Sequence, residues 1–521
     1  MRKRLISMVL AVSMAVSIMP APAFASGGGQ QPETVIGQEF DRQNSSGDYS
    51  EVSSLNQLTY TNKECKVRLT ESIVMTGAVT VNNGNRLTID LNGHTLTAAE
   101  NSRAFFIQNG ALTIEDSIGG GVIQGSGTVN GYGGAILMNG SDSNNALTLA
   151  GGTIRGFTAK YGAGVSMGNG TFRMTGGAIR NCSATGGKAD GGGVYVSGGS
   201  FEMSDGTISA CNAANAGGGV YVISGSFEMS GGSIEDCTAY EGAGVKVYPS
   251  SGKTASFSMT GGEIQNCNTN GVSIYAIGGT SEFSMSGGTI EDNGGDGVRV
   301  DAGSAVMSGG SVKDSELYDI RIGSSATLTV NNTQVGGTVL NMGKITGNGS
   351  AKFTGTVENS GSAVAGITGC KIHRIEHRFP YKGTIEGSPD EYVYLLGHSW
   401  PKIPSGAGES ISLKVPSYIT ATMENTLVIP EGVTVTVDLA GKPVSADAET
   451  SDIKIINHGT LTLIDRSTGG TLSIPIENDG VLNANGGTVT SEVTNKGTIQ
   501  ATGTPVTQFT GTLVNQEGAS V

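Results

Sequence analysis

Four cysteines, Cys182, Cys211, Cys237 and Cys267, each stand three residues after an isoleucine in successive copies of one repeat, at spacings of 29, 26 and 30. Residues at one repeat position stack at the ~4.8 Å distance between neighbouring strands, which lies inside the Cα separation a disulfide spans. Bridges Cys182–Cys211 and Cys237–Cys267 are therefore open. Side chains in parallel register point the same way, however, which strains such a bond. Phe157 and Asn293 continue the column at its two ends, so the expectation is a packing stack of buried free thiols. A linear column offers no tetrahedral zinc site. Cys65 and Cys370 flank the repeats and take no assignment.

Other groups offer chemistry by their pattern. His373 and His377 lie four apart beside Glu376 in KIHRIEHR, but the order HRIEH is not the HExxH of a zinc protease. In a strand-rich context they read as a solvated face. Glu291, Asp292, Asp296 and Asp301 form the densest acidic cluster in the repeats. In GGDGVRVDAG, Val298 and Val300 should point inward, which turns Arg299 outward and leaves Asp301 at the strand end. Asp296, Arg299 and Asp301 are thus the catalytic candidates of a polysaccharide lyase or hydrolase, with calcium as its cofactor. Neighbouring rungs do not extend the combination, so a solvated loop is the expected reading, with no catalytic residue, metal or cofactor assigned. No phosphate-binding loop, and no GxSxG or GxGxxG in a strand–helix context, occurs.

A binding surface is the stronger candidate. Alternation along the GGGVYV strands turns Leu137, Ser166, Tyr195, Tyr221, Lys246, Ser273 and Arg299 to solvent. Two stacked tyrosines followed by cations, Tyr195, Tyr221, Lys246 and Arg299, would offer a platform for sugar rings or for a partner's edge. Tyrosine also suits a strand surface that binds nothing.

The elements that must position these residues are written as repeats. One motif reads LTLAGGTI at 147–154, FRMTGGAI at 172–179, FEMSDGTI at 201–208, FEMSGGSI at 227–234, FSMTGGEI at 257–264, FSMSGGTI at 283–290 and AVMSGGSV at 305–312. A second falls between these: GGAILM at 133–138, GAGVSM at 162–167, GGGVYV at 191–196 and 217–222, and GAGVKV at 242–247. Each period holds short alternating strands separated by Gly, Asn and Asp turns. Such a unit cannot hide its own apolar face, whereas stacked copies can. The period fits one coil of a parallel β-helix, and the leucine-rich frame is missing. Phe172, Phe201, Phe227, Phe257 and Phe283 should form one inward stack. The Met column from Met174 to Met285 and the Ile column from Ile179 to Ile290 should form two more.

GGAI at Gly133–Ile136 and Gly176–Ile179, with the GGGV runs, resembles the GGAI-type repeats of chlamydial polymorphic membrane proteins, FxM standing where that family has FxxN. More broadly, residues 60–365 are similar to right-handed parallel β-helix surface proteins of Gram-positive gut bacteria. The resemblance implies adhesin-like surface display.

Composition agrees with an all-β, repetitive chain: 84 glycines in 521 residues, and 15% charged residues. The 31 Lys and Arg against 45 Asp and Glu give a net charge of −14, without the clustered basic residues that nucleic acid needs. Glycine does not recur every third residue, which excludes collagen. Met1-Arg2-Lys3-Arg4, the apolar Leu5–Met19 and Ala23-Phe24-Ala25 read as a secretory signal peptide over 1–25. No membrane span is expected after its removal. Residues 26–57 read as a flexible lead-in and 58–365 as the first parallel β-helix. VTVNNGNRLTIDLNGHTLTA at 79–98 corresponds to LVIPEGVTVTVDLAGKPVSA at 427–446, so 414–521 reads as a second, short β-helix, and 366–413 as a linker or small bridging lobe. The expected function is a secreted or cell-surface adhesion module for a host or cell-surface glycan or protein, of unassigned oligomeric state. A polysaccharide-active enzyme and a structural stalk are the alternatives.

Overall fold

Period-two alternation makes each repeat a set of short strands with one apolar edge. In a computed structural model these stack in parallel into a β-solenoid of about 15 turns, with no helix among the described residues. The structure describes residues 49–521 except 53, 56–57, 59, 61–62, 140–143, 348–350, 362, 367–370, 382–383, 387–390, 396–399, 401–402, 404, 416–420, 449–451 and 502–506. Within it, 52, 361, 366, 371–381, 384–386 and 391–395 are described by backbone alone. The signal peptide expected over 1–25, most of the lead-in, Cys370 and His398 lie outside the described residues. So do the side chains of His373 and His377, which sit in the strand Lys371–Tyr381.

Within the GG-type repeats, strands of one motif pair with strands of the same motif. The GGGVYV strands stack so that Val194 meets Val220 and Tyr195 meets Tyr221. The FxM strands stack with Phe201 on Phe227 and Met203 on Met229, and Ile208 meets Ile234 on a third face. A fourth, short ladder runs through Thr158–Ala159, Ser183–Ala184, Asn212–Ala216 and Thr238–Glu241. The interior follows the alternation. Phe172, Phe201, Phe227, Phe257 and Phe283 are buried, with ring centroids 4.6, 4.6, 4.8 and 5.3 Å apart in turn. The Met and Ile columns are buried beside them. Each buried phenylalanine contributes roughly 1.5–3 kcal/mol through area removed from water, and each stacked pair about 0.5–1.5 kcal/mol more.

The cysteine column is a stack of buried free thiols, each donating to a backbone carbonyl: Cys182 Sγ to Arg180 O at 3.5 Å and Cys211 Sγ to Ile179 O at 3.6 Å, for example. The residue before each cysteine takes a left-handed turn, with φ between 49° and 54° at Asn181, Ala210, Asp236 and Asn266. Asn and Asp tolerate that conformation best, which accounts for three of the four. Asn293 ends the column by accepting the Cys267 amide at 3.1 Å and donating to Glu291 O at 2.9 Å.

The ladder extends beyond the repeats at both ends. Ser50–Val52, inside the segment expected as a flexible lead-in, pairs with Glu64–Leu69. Lys371–Tyr381, Glu391–Leu395 and Ser410–Lys414, expected as a linker or bridging lobe, pair successively between Lys352–Gly361 and Thr434–Asp438. Among the described side chains, buried apolar residues run from Leu55 to Ala365 and again from Trp400 to Ile499, those between being described by backbone alone or lying outside the described residues. The same carboxylate pins recur in each. Asp90 Oδ1 accepts the Asn92 and Ser117 amides, and Asp438 Oδ1 those of Ala440 and Arg466. Asp116 takes the Gly93 and Gly121 amides on its two oxygens, and Asp465 those of Gly441 and Gly470. These bonds satisfy backbone donors that turns would otherwise leave buried and unpaired.

Candidate binding groove

The first glycine of each GGxV motif makes the corner on which the site depends. At Gly191 φ is +68°, and a Cβ there would meet Val194 O at 2.7 Å and the Tyr195 Cβ at 2.8 Å. Only glycine both turns left-handed and admits that approach. The corner brings the preceding residue back alongside the outer face of the strand that follows. Tyr132, Tyr161, Asp190, Ala216 and Glu241 therefore form a ladder of their own, held by bridges and strand pairing. This ladder is one wall of a groove along the solenoid. The outward column of the GGxV strands is its floor, and Ile223 and Tyr248, just past those strands, pack with Tyr132 and Tyr161 against Tyr195, Ala216 and Tyr221.

This geometry corrects the expectation that the floor faces solvent. Tyr195 and Tyr221 are each 5% exposed, Lys246 is 3% exposed, and Leu137, Ser166 and Ser273 are buried as well. Alternation does send them away from the core, but the doubled-back wall covers them. Tyr195 packs under Tyr132 and Tyr161, at centroid distances of 5.9 and 5.3 Å, and stacks flat on Tyr221 at 5.5 Å. Of the floor residues read as exposed, Arg299 alone is half-buried.

The aromatic surface of the groove is supplied by its walls. Tyr132 and Tyr161 stack at 4.8 Å, and Tyr248 and Tyr275 at 5.5 Å with ring planes 11° apart. All four are half-buried. The motif alignment held a signal for them: a tyrosine directly before the corner glycine in two successive repeats, and one directly after the strand in two later ones.

Charge is concentrated from Asp190 onward. Lys246 Nζ donates to Glu241 Oε2 and to Ser273 Oγ, both at 2.9 Å, and lies 5.7 Å from the Tyr275 ring centroid. Burial works to raise Glu241, but the Lys246 ammonium outweighs it and holds the carboxyl below its ordinary range. Asp190 accepts from Asn215 Nδ2 at 2.7 Å, yet burial pushes its carboxyl up to about 6. Asp296 is 0% exposed, and burial pushes it up to about 6 against the pull of Arg321 and Arg299. Its Oδ2 receives the Asn270 amide at 3.4 Å, and its Oδ1 has no partner. Arg299 Nε is bound to Asp301 Oδ2 at 2.8 Å.

The acidic cluster read from the sequence does not converge. Asp296 and Asp301 flank the groove, but Glu291 lies on another face paired with Lys313, and Asp292 is an exposed turn residue with φ +52°. Asp296, Arg299 and Asp301 do come together, joined by Arg321, which the sequence reading missed because it lies in the next coil outside the GG motif. Among the described residues, no group of three or more His, Cys, Asp or Glu side chains is placed to hold a metal ion. Compared with protein-family models, curated proteins and solved structures, the chain gives no match.

Proposed function

We propose that this protein is a secreted or cell-surface binding module that holds a host or cell-surface glycan along the groove. The supporting observation is the two tyrosine stacks, Tyr132 on Tyr161 and Tyr248 on Tyr275, half-buried along the solenoid beside the partly exposed Glu241 and Arg299. A sugar ring has an apolar C–H face suited to stacking on tyrosine and a rim of hydroxyls suited to the partly exposed Glu241 and Arg299. Rungs repeat every ~4.8 Å, so a linear glycan meets a similar surface at successive positions and many weak contacts add. The signal-like N-terminus supports export, and the recurring carboxylate pins support an organisation in two units.

The test is a glycan array with the mature chain, followed by titration of any hit. Replacing Tyr248→Ala together with Tyr275→Ala should weaken binding roughly tenfold, the scale of a lost stacking pair. Unchanged binding in a folded double variant would sink the groove as the site.

A second reading, polysaccharide cleavage, is favoured by one observation: Asp296 is a carboxyl with a raised pKa, buried near two arginines, as an acid–base group requires. A depolymerisation assay with and without calcium decides it, with product formation abolished by Asp296→Asn. No glycan bound and no product released would leave the structural stalk or a protein partner.

A further inference from the structure

Resting on the glycan-binding reading above, we propose that the charged end of the groove is a subsite for an acidic sugar. Arg299 and Arg321 would receive its carboxylate or sulfate, with the buried Asp296 setting the charge of the cluster. The register stacks Arg299 directly on Arg321, two guanidinium groups one rung apart in the same outward column. Both residues are half-buried, so each keeps part of its surface open.

Their hydrogen-bonding capacity is unequally used. Arg299 commits its Nε to Asp301. The Nε of Arg321 is buried without an acceptor, and the Oδ1 of Asp296 is buried without a donor. A donor on a guanidinium and an acceptor on a carboxyl, unmet in one charged cluster, each forfeit a charge-assisted bond. A neutral sugar offers no anionic partner for the arginine. A sugar acid offers an anionic group for the guanidinium fork.

The charges of the cluster balance while Asp296 is ionised. Lys246 pairs with Glu241 and Arg299 with Asp301, which leaves Arg321 opposite Asp296. The charged groups acting on Asp296 are Arg321 and Arg299, which favour its ionised form, and Asp301, which opposes it; Glu241 acts on Arg299 in turn. When Asp296 takes up a proton the cluster gains one positive charge, so an anionic ligand should bind more tightly as pH falls through about 6. The overall charge of −14 opposes anions at long range, but at physiological ionic strength it is screened beyond ~8 Å, and the local cluster decides.

The experiment titrates the mature chain with labelled oligogalacturonate, a sulfated oligosaccharide and a neutral oligosaccharide of equal length, at about pH 5 and about pH 7.5. At least one acidic ligand should bind roughly tenfold tighter than the neutral one, and more tightly at the lower pH. The arm that wins separates carboxylate from sulfate. Arg321→Gln should lose roughly tenfold for the acidic ligand and leave the neutral one unchanged, which also reports that the variant is folded. Asp296→Asn should keep the acidic preference and lose its pH dependence. Equal affinity for acidic and neutral ligands, or equal weakening of both by Arg321→Gln, would overturn the subsite and leave the groove reading standing. Failure of every glycan to bind would overturn both.

Discussion

Replacing Asp190 with asparagine isolates the cost of placing a carboxyl beneath the wall of the groove. The wild-type carboxyl is buried, accepts one bond from Asn215, and titrates near 6 rather than at its ordinary 3.8, chiefly because burial penalises the charge. The folded chain therefore holds this proton more tightly than the unfolded chain. The stabilisation is fully present below pH 3.8 and is lost as pH rises through about 6. At about 1.4 kcal/mol for each pH unit between the two values, the loss is about 3 kcal/mol at neutral pH. An asparagine amide oxygen accepts the same Asn215 bond without a charge to desolvate. Urea unfolding of wild type and Asp190→Asn, followed by circular dichroism, should give nearly equal stabilities around pH 4, with the variant ahead by about 3 kcal/mol at about pH 7.5. A difference that stays flat across that range would refute the reasoning, since hydrogen bonding and packing alone do not titrate there.

Two further perturbations test the interior. Phe227→Ala removes a ring stacked on both sides, at 4.6 and 4.8 Å, and should cost about 3–5 kcal/mol in urea unfolding, with Phe227→Leu much milder. The thiols of Cys211 and Cys267 are raised by hydrogen bonding to neighbouring thiols and by burial. All four column cysteines should resist alkylation in the folded chain and react fully in denaturant without reductant, as mass spectrometry would show; failure to react in denaturant would mean they are bridged.

Much of the fold was legible because a solenoid repeats its instructions. Phe, Met, Ile and Cys recur at fixed places between turns, and parallel register carries each to the same place one rung away, so Phe201 on Phe227 follows from spacing alone. Asn293 and Phe157 at the ends of the cysteine column were legible for the same reason. The site was less so. Alternation gives the direction of Tyr195 and Lys246 correctly, outward from the core, but direction is not exposure. Asp296 and Arg299 were noticed as a local cluster, while Arg321 is distant in sequence and joins them only through pairing in the next coil.

The sequence by itself thus determined the class of fold, the strand registers and the inward columns, because each depends on periodicity and on contacts between identical positions of adjacent coils. Only the tertiary structure decided which outward residues meet solvent. That depends on the left-handed corners at Gly191 and its counterparts, which carry Tyr132, Tyr161, Asp190 and Glu241 back over the strand that follows. A floor residue is buried by a wall formed elsewhere in the coil, and no period of two records that crossing.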